Sequence, residues 1–374
     1  MGPLAGVKII EFAGIGPAPL AAMLLADMGA TVLRIDRTAP ADLGVPMAAE
    51  HEFTFRSRAV LNLDLKKPEA IALALRLIDG SDALIEGFRP GVMERLGLGP
   101  DTCLRRNPKL AFGRVTGWGQ DGPLAQAAGH DLNYIALTGA LHAIGRAGQK
   151  PTPPLNLVGD YGGGALYLVT GLLAAIISAR VTGVGQVVDA AMVDGALSLM
   201  TPIYGMQAGG RLTAPRGENM LDSGAPFYEV YECADGQFIS IAPIEARFHA
   251  ELLRLLEIDP VGMPPQRDKA GWERWKTVLA EKFRTRTRDD WCRLLEGTDA
   301  CFAPVLAMSE AHAHPHNQAR SAFVDVGGFR HPAPAPRFSV TRADPPRPPG
   351  SVPAAEALAA WGLSAAEIEA ATRA

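Results

Sequence analysis

The sequence predicts an α/β protein, with a large domain built on an open parallel sheet and a smaller α+β domain after it. Three observations predict this. Short apolar, strand-like runs alternate with stretches of helical spacing through the first half of the chain. The texture then changes to a Gly- and Pro-containing loop, two strand-like segments and two amphipathic stretches. The length, 374 residues, suits about two domains, each able to bury its own core.

Residues 6–12 (GVKIIEF) form an apolar run bounded by Gly14, Gly16, Pro17 and Pro19, which reads as a buried strand ending in a turn. Helical spacing over 20–28 closes at Gly29, a residue type favoured just past a helix end. Residues 31–35 (TVLRI) are the second strand, so the opening is a βαβ unit with parallel strands and a right-handed crossover. The pattern repeats in a helix over 68–78, strands over 82–86 and 110–115, a long apolar helix over 165–180 and a strand over 186–190. A further helix is expected over 135–144. Residues 209–226 are loop-like, and 227–242 hold two strands joined by Ala234-Asp235-Gly236. Helical spacing follows over 246–256 and 272–283. Seven prolines between 332 and 350 make a stiff tether, and Ser364 with Glu367 has the capping-box spacing that opens a terminal helix.

Composition narrows the function classes. With 36 Lys+Arg against 40 Asp+Glu the chain is mildly acidic, which argues against a nucleic-acid partner. The 48% hydrophobic and 20% charged content is that of a folded globular chain. Cys103, Cys233, Cys292 and Cys301 form no C-x-x-C pair, so neither a zinc site nor a dithiol redox site is indicated. The N-terminus lacks a basic segment leading into an apolar one, and Thr372-Arg373-Ala374 is not a peroxisomal address. The longest apolar stretch, 165–179, falls short of the roughly 20 residues that span a bilayer. No membrane association is expected, and the location expected is cytoplasmic.

Several constellations hold residues with chemistry. The turn Gly14-Ile15-Gly16-Pro17-Ala18-Pro19, with Asp36 after the next strand, has the outline of a dinucleotide-binding loop. Pro19 stands where the third glycine belongs and Pro17 removes an N–H, so the fold element without the dinucleotide is favoured. Residues 128–134 (AGHDLNY) place His130 and Asp131 at a helix start, where a histidine is structural or catalytic and an aspartate is commonly a cap. In 154–164 (PLNLVGDYGGG), Asp160 precedes a glycine triplet. It reads either as an N-cap carboxylate or as a group beside a close approach of backbone to ligand. His312, His314 and His316 resemble a metal tract, but Pro315 favours a loop, and no metal is expected.

Longer motifs add to this. EFAGIGPAPLAAMLLADMGATVLRIDR, IEGFRPGVMERLGLGP, TGWGQDGPLAQAAGHDLNY, PPLNLVGDYGGGAL and GQVVDAAMVDG resemble the family III CoA-transferase superfamily, and within it the bacterial alpha-methylacyl-CoA racemases. The resemblance continues through GAPFYEVYECADGQFISIAPIEARF to APRFS and GLSAAEIEA, nearly the full length. It implies an interlocked homodimer. Each subunit would have a Rossmann-like large domain built from both chain ends, with the active site where it meets the partner's small domain. The corresponding division is 1–190 for the N-terminal part of the large domain, 191–228 for a linker and 229–310 for the small domain. A return linker over 311–330 and a C-terminal part over 331–374 complete it.

The resemblance also implies roles. Racemisation alpha to a thioester removes a proton from one face of C2 and delivers one to the other, which needs two acid/base groups flanking one carbon. His130 would serve one face and Asp160 the other, with Asn156 orienting Asp160. Glu245 matches the acidic residue that the family sets beside its histidine, and Asp131 is a second candidate for orienting it. CoA phosphates favour arginine. The CoA-contacting positions carried over are Arg37, Leu63, Asp64, Leu65, Lys66, Gly87, Phe88, Arg89, Arg95, Gly129, Leu132, Asn133 and Tyr134. Met192, Met200, Met206 and Met220 are either soft contacts for an acyl tail or ordinary packing. No cofactor is implied beyond the CoA carried by the acyl-CoA thioester substrate. The competing reaction is CoA transfer with Asp160 as nucleophile, forming an anhydride and then an aspartyl-CoA thioester. His130 separates the two, because the transferase needs no second base. A non-catalytic acyl-CoA binder is disfavoured by the joint presence of His130, Asp160 and Glu245.

Overall fold

Six parallel strands form one sheet in the order β3-β2-β1-β4-β5-β6 in the computed structural model of the chain. The structure describes residues 2–39, 44–213 and 215–373. The strands are β1 (Lys8–Phe12), β2 (Thr31–Asp36), β3 (Ala59–Asn62), β4 (Ala83–Glu86), β5 (Ala111–Thr116) and β6 (Gln186–Ala191). β1, β2, β4, β5 and β6 lie where the apolar runs predict strands. β3 is not among the strands expected from the sequence; its four residues follow Arg56 and Arg58. Both arginines are buried in ion pairs with Asp27 and Glu11.

Side-chain alternation along the strands gives the sheet two apolar faces. Ile9, Val32, Ala83 and Val115 face α1 (Pro17–Asp27) and the helix Leu166–Thr182. Ile10, Leu33, Leu84 and Phe112 face α2 (Pro68–Asp79) and Ala357, Leu358 and Leu363 from the C-terminal end. On β5, Gly113 leaves room for the crossing helix: a Cβ there would lie 2.8 Å from Leu168 Cδ1 and 2.9 Å from Leu172 Cδ2.

Four boundaries differ from the sequence expectation. α1 starts at Pro17, because proline is tolerated in a first helical turn where its missing N–H has no partner to lose. The helix expected over 165–180 begins earlier. Leu157–Ala165 is wound as a π-helix, with the Tyr161 N–H on the Asn156 carbonyl at 3.3 Å, and runs straight into Leu166–Thr182. Asp160 is therefore neither an N-cap nor a turn residue. The resulting 26-residue helix is long and apolar enough to cross a membrane, yet Leu168, Leu172, Ala175 and Ile176 are packed on the sheet. The expected helix 135–144 is broken: Asp131–Ala136 ends short of Gly139, which has φ +76°. Finally, a hairpin of β10 (Phe323–Val326) and β11 (Phe329–Pro332) spans the junction between the segments read as linker and tether, turning at Gly327 and Gly328 with φ +63° and +85°. The terminal capping box forms: the Ser364 hydroxyl and N–H each donate to Glu367 at 2.7 Å.

The chain divides into two compact units. The first comprises Met1–Thr138, Pro154–Met200 and Ser321–Ala374; the second comprises Gly139–Pro153 and Thr201–Arg320. In the second, β7 (Glu229–Glu232), β8 (Phe238–Ile241) and β9 (Phe302–Pro304) form an antiparallel sheet. Tyr231, Ile239, Leu252, Leu279, Phe283 and Trp291 make its core.

Candidate active site

The first unit holds a cleft of about 1520 Å³ at the carboxyl ends of its strands. Its walls are the turns after β1, β2, β4 and β5, represented by Gly16, Arg37, Phe88 and Trp118. The sheet order reverses between β1 and β4, and crevices at such switch points are the usual ligand sites of open α/β sheets.

His130 and Asp160 both open on this cleft, with Asn156. His130 is the N-cap of Asp131–Ala136, and its backbone N–H donates to Asn133 Oδ1 at 3.1 Å. Asp160 is half-buried in the π-helical turn, where Asn156 Nδ2 donates to its Oδ2 at 3.3 Å. Burial pushes the Asp160 carboxyl above its ordinary value. Asp131 adds to the push, while the Asn156 hydrogen bond and His130 hold it back. Gly16 is the contact that sequence reasoning missed: a Cβ on it would lie 3.1 Å from Asp160 Oδ2, and its φ is +66°. The first turn thus makes room at Gly16 for a carboxylate of the same chain.

Asp131 is placed otherwise than its expected role beside His130 suggests. It is buried, and its Oδ2 accepts the backbone N–H of Gly159 at 2.6 Å and of Asp160 at 2.7 Å. The glycine triplet also serves the protein itself. A Cβ on Gly163 would come within 2.7 Å of the Ala196 N and 2.8 Å of the Met192 O, and one on Gly164 within 3.0 Å of Pro17 Cβ. These glycines let the π-helix pack tightly against Met192–Leu199 and α1, so the ligand-approach reading of the triplet does not hold. Tyr134 is buried against Gly117 and Gly129, its hydroxyl donates to the Gly129 carbonyl, and its ring meets Trp118 edge-on at 4.8 Å. Burial raises its phenol to about 12, so it stays neutral.

Of the positions expected to contact CoA, Arg37, Leu63, Asp64, Leu65, Lys66, Gly87, Phe88, Arg89, Gly129 and Tyr134 line the cleft. Arg37, Lys66 and Arg89 are exposed, so cationic groups stand on its wall. Glu86 explains the position of Phe88: its Oε2 accepts the Phe88 N–H at 2.7 Å while Arg114 holds its Oε1 at 2.7 Å. Asp36 is held by Arg34 Nε at 2.9 Å, which accounts for it without a ribose. Arg95, Leu132 and Asn133 are exposed residues that are not on the cleft wall, and Met192 is on it. Glu245 lies in the second unit, exposed, as the N-cap of Ala246–Leu255. In that unit His314 Nε2 pairs with Glu296 at 2.8 Å, and no cluster of potential metal ligands occurs among the described residues. Sequence reasoning also passed over Phe53 and Phe55, which form a second apolar wall of the cleft. Their signal, aromatic spacing in a short charged segment, is weak.

A model of CoA-transferase family III matches residues 4–355. The alpha-methylacyl-CoA racemase of Mus musculus is 42% identical over 98% of this chain and 95% of its own length. The human alpha-methylacyl-CoA racemase is 41% identical over 91% of this chain and 88% of its own. A CaiB/BaiF family protein from Brucella suis shares the fold, with a TM-score of 0.81 at 24% identity, covering 98% of this chain and 99% of that one. The family match takes in every strand of the parallel sheet and both His130 and Asp160, and the chain belongs to CoA-transferase family III.

Proposed function

We propose that the chain is a racemase that interconverts (2R)- and (2S)-2-methylacyl-CoA thioesters by moving a proton at C2 through an enolate. The observation that carries the reading is that an imidazole, His130, and a desolvated carboxyl, Asp160, open on one cleft whose wall carries Arg37, Lys66 and Arg89. The mouse and human relatives bear that activity in their names. One group takes the C2 proton and the other returns a proton to the opposite face; the roles exchange with the handedness of the substrate. Proton transfer alone needs no redox or metal partner, so the reading calls for no cofactor, CoA being part of the substrate. The enolate oxygen needs N–H donors. Those of Gly159, Asp160 and Tyr161 are already taken by Asp131 and Asn156, and that of His130 by Asn133, which favours the Gly129, Asp131 and Leu132 N–H groups.

On this reading the protein acts in the cytoplasm, as a homodimer with its active site at the subunit interface, where Glu245 would stabilise the imidazolium. The first unit supports a partner through its exposed apolar residues, among them Leu155 (77%), Ile177 (64%) and Val181 (81%). The family name keeps CoA transfer with Asp160 as nucleophile as the second reading.

Incubating a single epimer of a 2-methylacyl-CoA in D2O should yield both epimers with deuterium at C2. Retained configuration with retained hydrogen would sink the racemase reading, and transfer of labelled CoA to an added acid without C2 exchange would establish the transferase. If Arg89 holds a phosphate uniformly through the reaction, Arg89→Ala should raise KM by roughly 10–100-fold with kcat nearly unchanged, the size of one charge-assisted hydrogen bond. A fall in kcat at constant KM would remove Arg89 from the binding role.

A further inference from the structure

Asp131 is one of the few fully enclosed carboxylates in the first unit, and its position is not explained by capping its own helix. At 5% exposure it reaches across to a different helix and accepts two consecutive N–H groups, those of Gly159 and Asp160, through one oxygen, Oδ2. The other oxygen, Oδ1, is buried without a hydrogen-bond partner. The contact is tight enough to dictate its neighbour: a Cβ on Gly159 would lie 2.6 Å from Oδ2. Among the described residues no cationic side chain pairs with Asp131, and its Oδ2 is met by two amide dipoles.

We propose that Asp131 is the positioning residue of Asp160: it pins the π-helical turn that carries Asp160 and sets a second carboxylate, held by amides and not by a cation, behind that carboxyl. The inference rests on the racemase reading and adds a division of labour within the His130–Asp131 pair, one facing the cleft and the other its opposing base. Among the described residues, the titratable groups bearing on Asp160 are Asp131, His130 and the phenol of Tyr134, all from the one short helix and its cap. From the other sides come Gly16 at the start of α1 and Asn156, neither of them charged. Asp131 is thus the anion available to keep the carboxyl protonated when it must act as the acid, and a like charge nearby does that.

The two contributions separate by substitution. In Asp131→Asn the amide oxygen still accepts both N–H groups while the charge is gone; in Asp131→Ala both are lost. Asp160 can be titrated directly by carboxyl 13C NMR of protein labelled at aspartate, its resonance being the one missing from Asp160→Asn. In Asp131→Asn the Asp160 midpoint should fall by about one pH unit, and the acid limb of kcat/KM should move the same way, with exchange at the optimum within about tenfold of wild type. Asp131→Ala should lose about 10²-fold at the optimum, the scale of a small misplacement of a reacting group. An unmoved Asp160 midpoint in Asp131→Asn overturns the proposal, as do equal losses in the two variants without a shift, which would mark Asp131 as a packing residue. The titration needs no turnover. If the wild type fails to wash deuterium into C2, the racemase reading falls, and the NMR midpoint still decides the role of Asp131.

Discussion

Replacing Asp160 by asparagine is expected to lower epimerisation of a 2-methylacyl-CoA by about 10²–10⁴-fold, the ordinary contribution of one positioned acid/base group. The substitution keeps the shape that fits against Gly16 and beside Asn156, so binding should survive while the proton carrier is lost. Histidine 130 gives the more informative partner experiment. His130→Ala leaves Asp160 on its own face of the substrate, so it should still wash deuterium into one epimer slowly, with retention. Inversion requires the missing second group and should fall further than wash-in. Under the transferase reading the pattern differs: Asp160→Asn abolishes CoA transfer because the nucleophile is gone, and His130→Ala leaves it near wild type. Chiral chromatography of the products, with mass spectrometry for deuterium, reads both quantities in one sample. Near wild-type epimerisation in both variants would end the two-base assignment.

How far the sequence could be read depended on whether a residue's partner was close in the chain. The strands β1, β2, β4, β5 and β6 follow from local apolar runs, and helix ends follow from Gly29 and the Ser364–Glu367 box, because their causes lie within a few residues. His130 and Asp160 were legible through the motifs GHDLNY and GDYGGG and their resemblance to a family. The meaning of what surrounds them was not. Gly16 looks like part of a phosphate loop until Asp160 is placed against it. The glycine triplet looks like a ligand cradle until Ala196, Met192 and Pro17 fill the space. Asp131 looks like a partner for the adjacent His130 until the Gly159 and Asp160 amides are found on its carboxylate. Each of these depends on which helix crosses which, information that periodicity along one segment does not carry. β3 belongs with these: the acids that bury Arg56 and Arg58 beside it, Asp27 and Glu11, are distant in the chain.

Those arginines lead to the largest expected loss of stability. Glu11, on β1, is fully buried, with one carboxylate oxygen on Arg34 at 2.6 Å and the other on the fully buried Arg58. Arg34 has a second acid in Asp36, but Arg58 has Glu11 and the Thr54 carbonyl, and its Nε is already without a partner. Glu11→Ala would therefore leave Arg58 buried without its paired acid and Arg34 with Asp36 alone. Removing one partner of a buried pair costs roughly 3–5 kcal/mol, because the charge left behind cannot return to water. Glu11→Gln, which still accepts a hydrogen bond, should cost less. Replacing Glu11, Arg34 and Arg58 together by Leu and Met should recover much of the loss, since hydrophobic substitutes of similar volume often match a buried ionic cluster. The effect should reach the cleft. Phe55 lies 4.2 Å from Arg34 and 5.3 Å from Arg58 by ring centroid, and Arg58 holds the Thr54 carbonyl, so the Phe53–Phe55 turn is fastened to the network. Denaturant unfolding of the three variants reads the stability order, and substrate KM in the single variants reads the wall. Wild-type stability in Glu11→Ala would mean that water reaches Arg58 and that the network does not anchor the cleft.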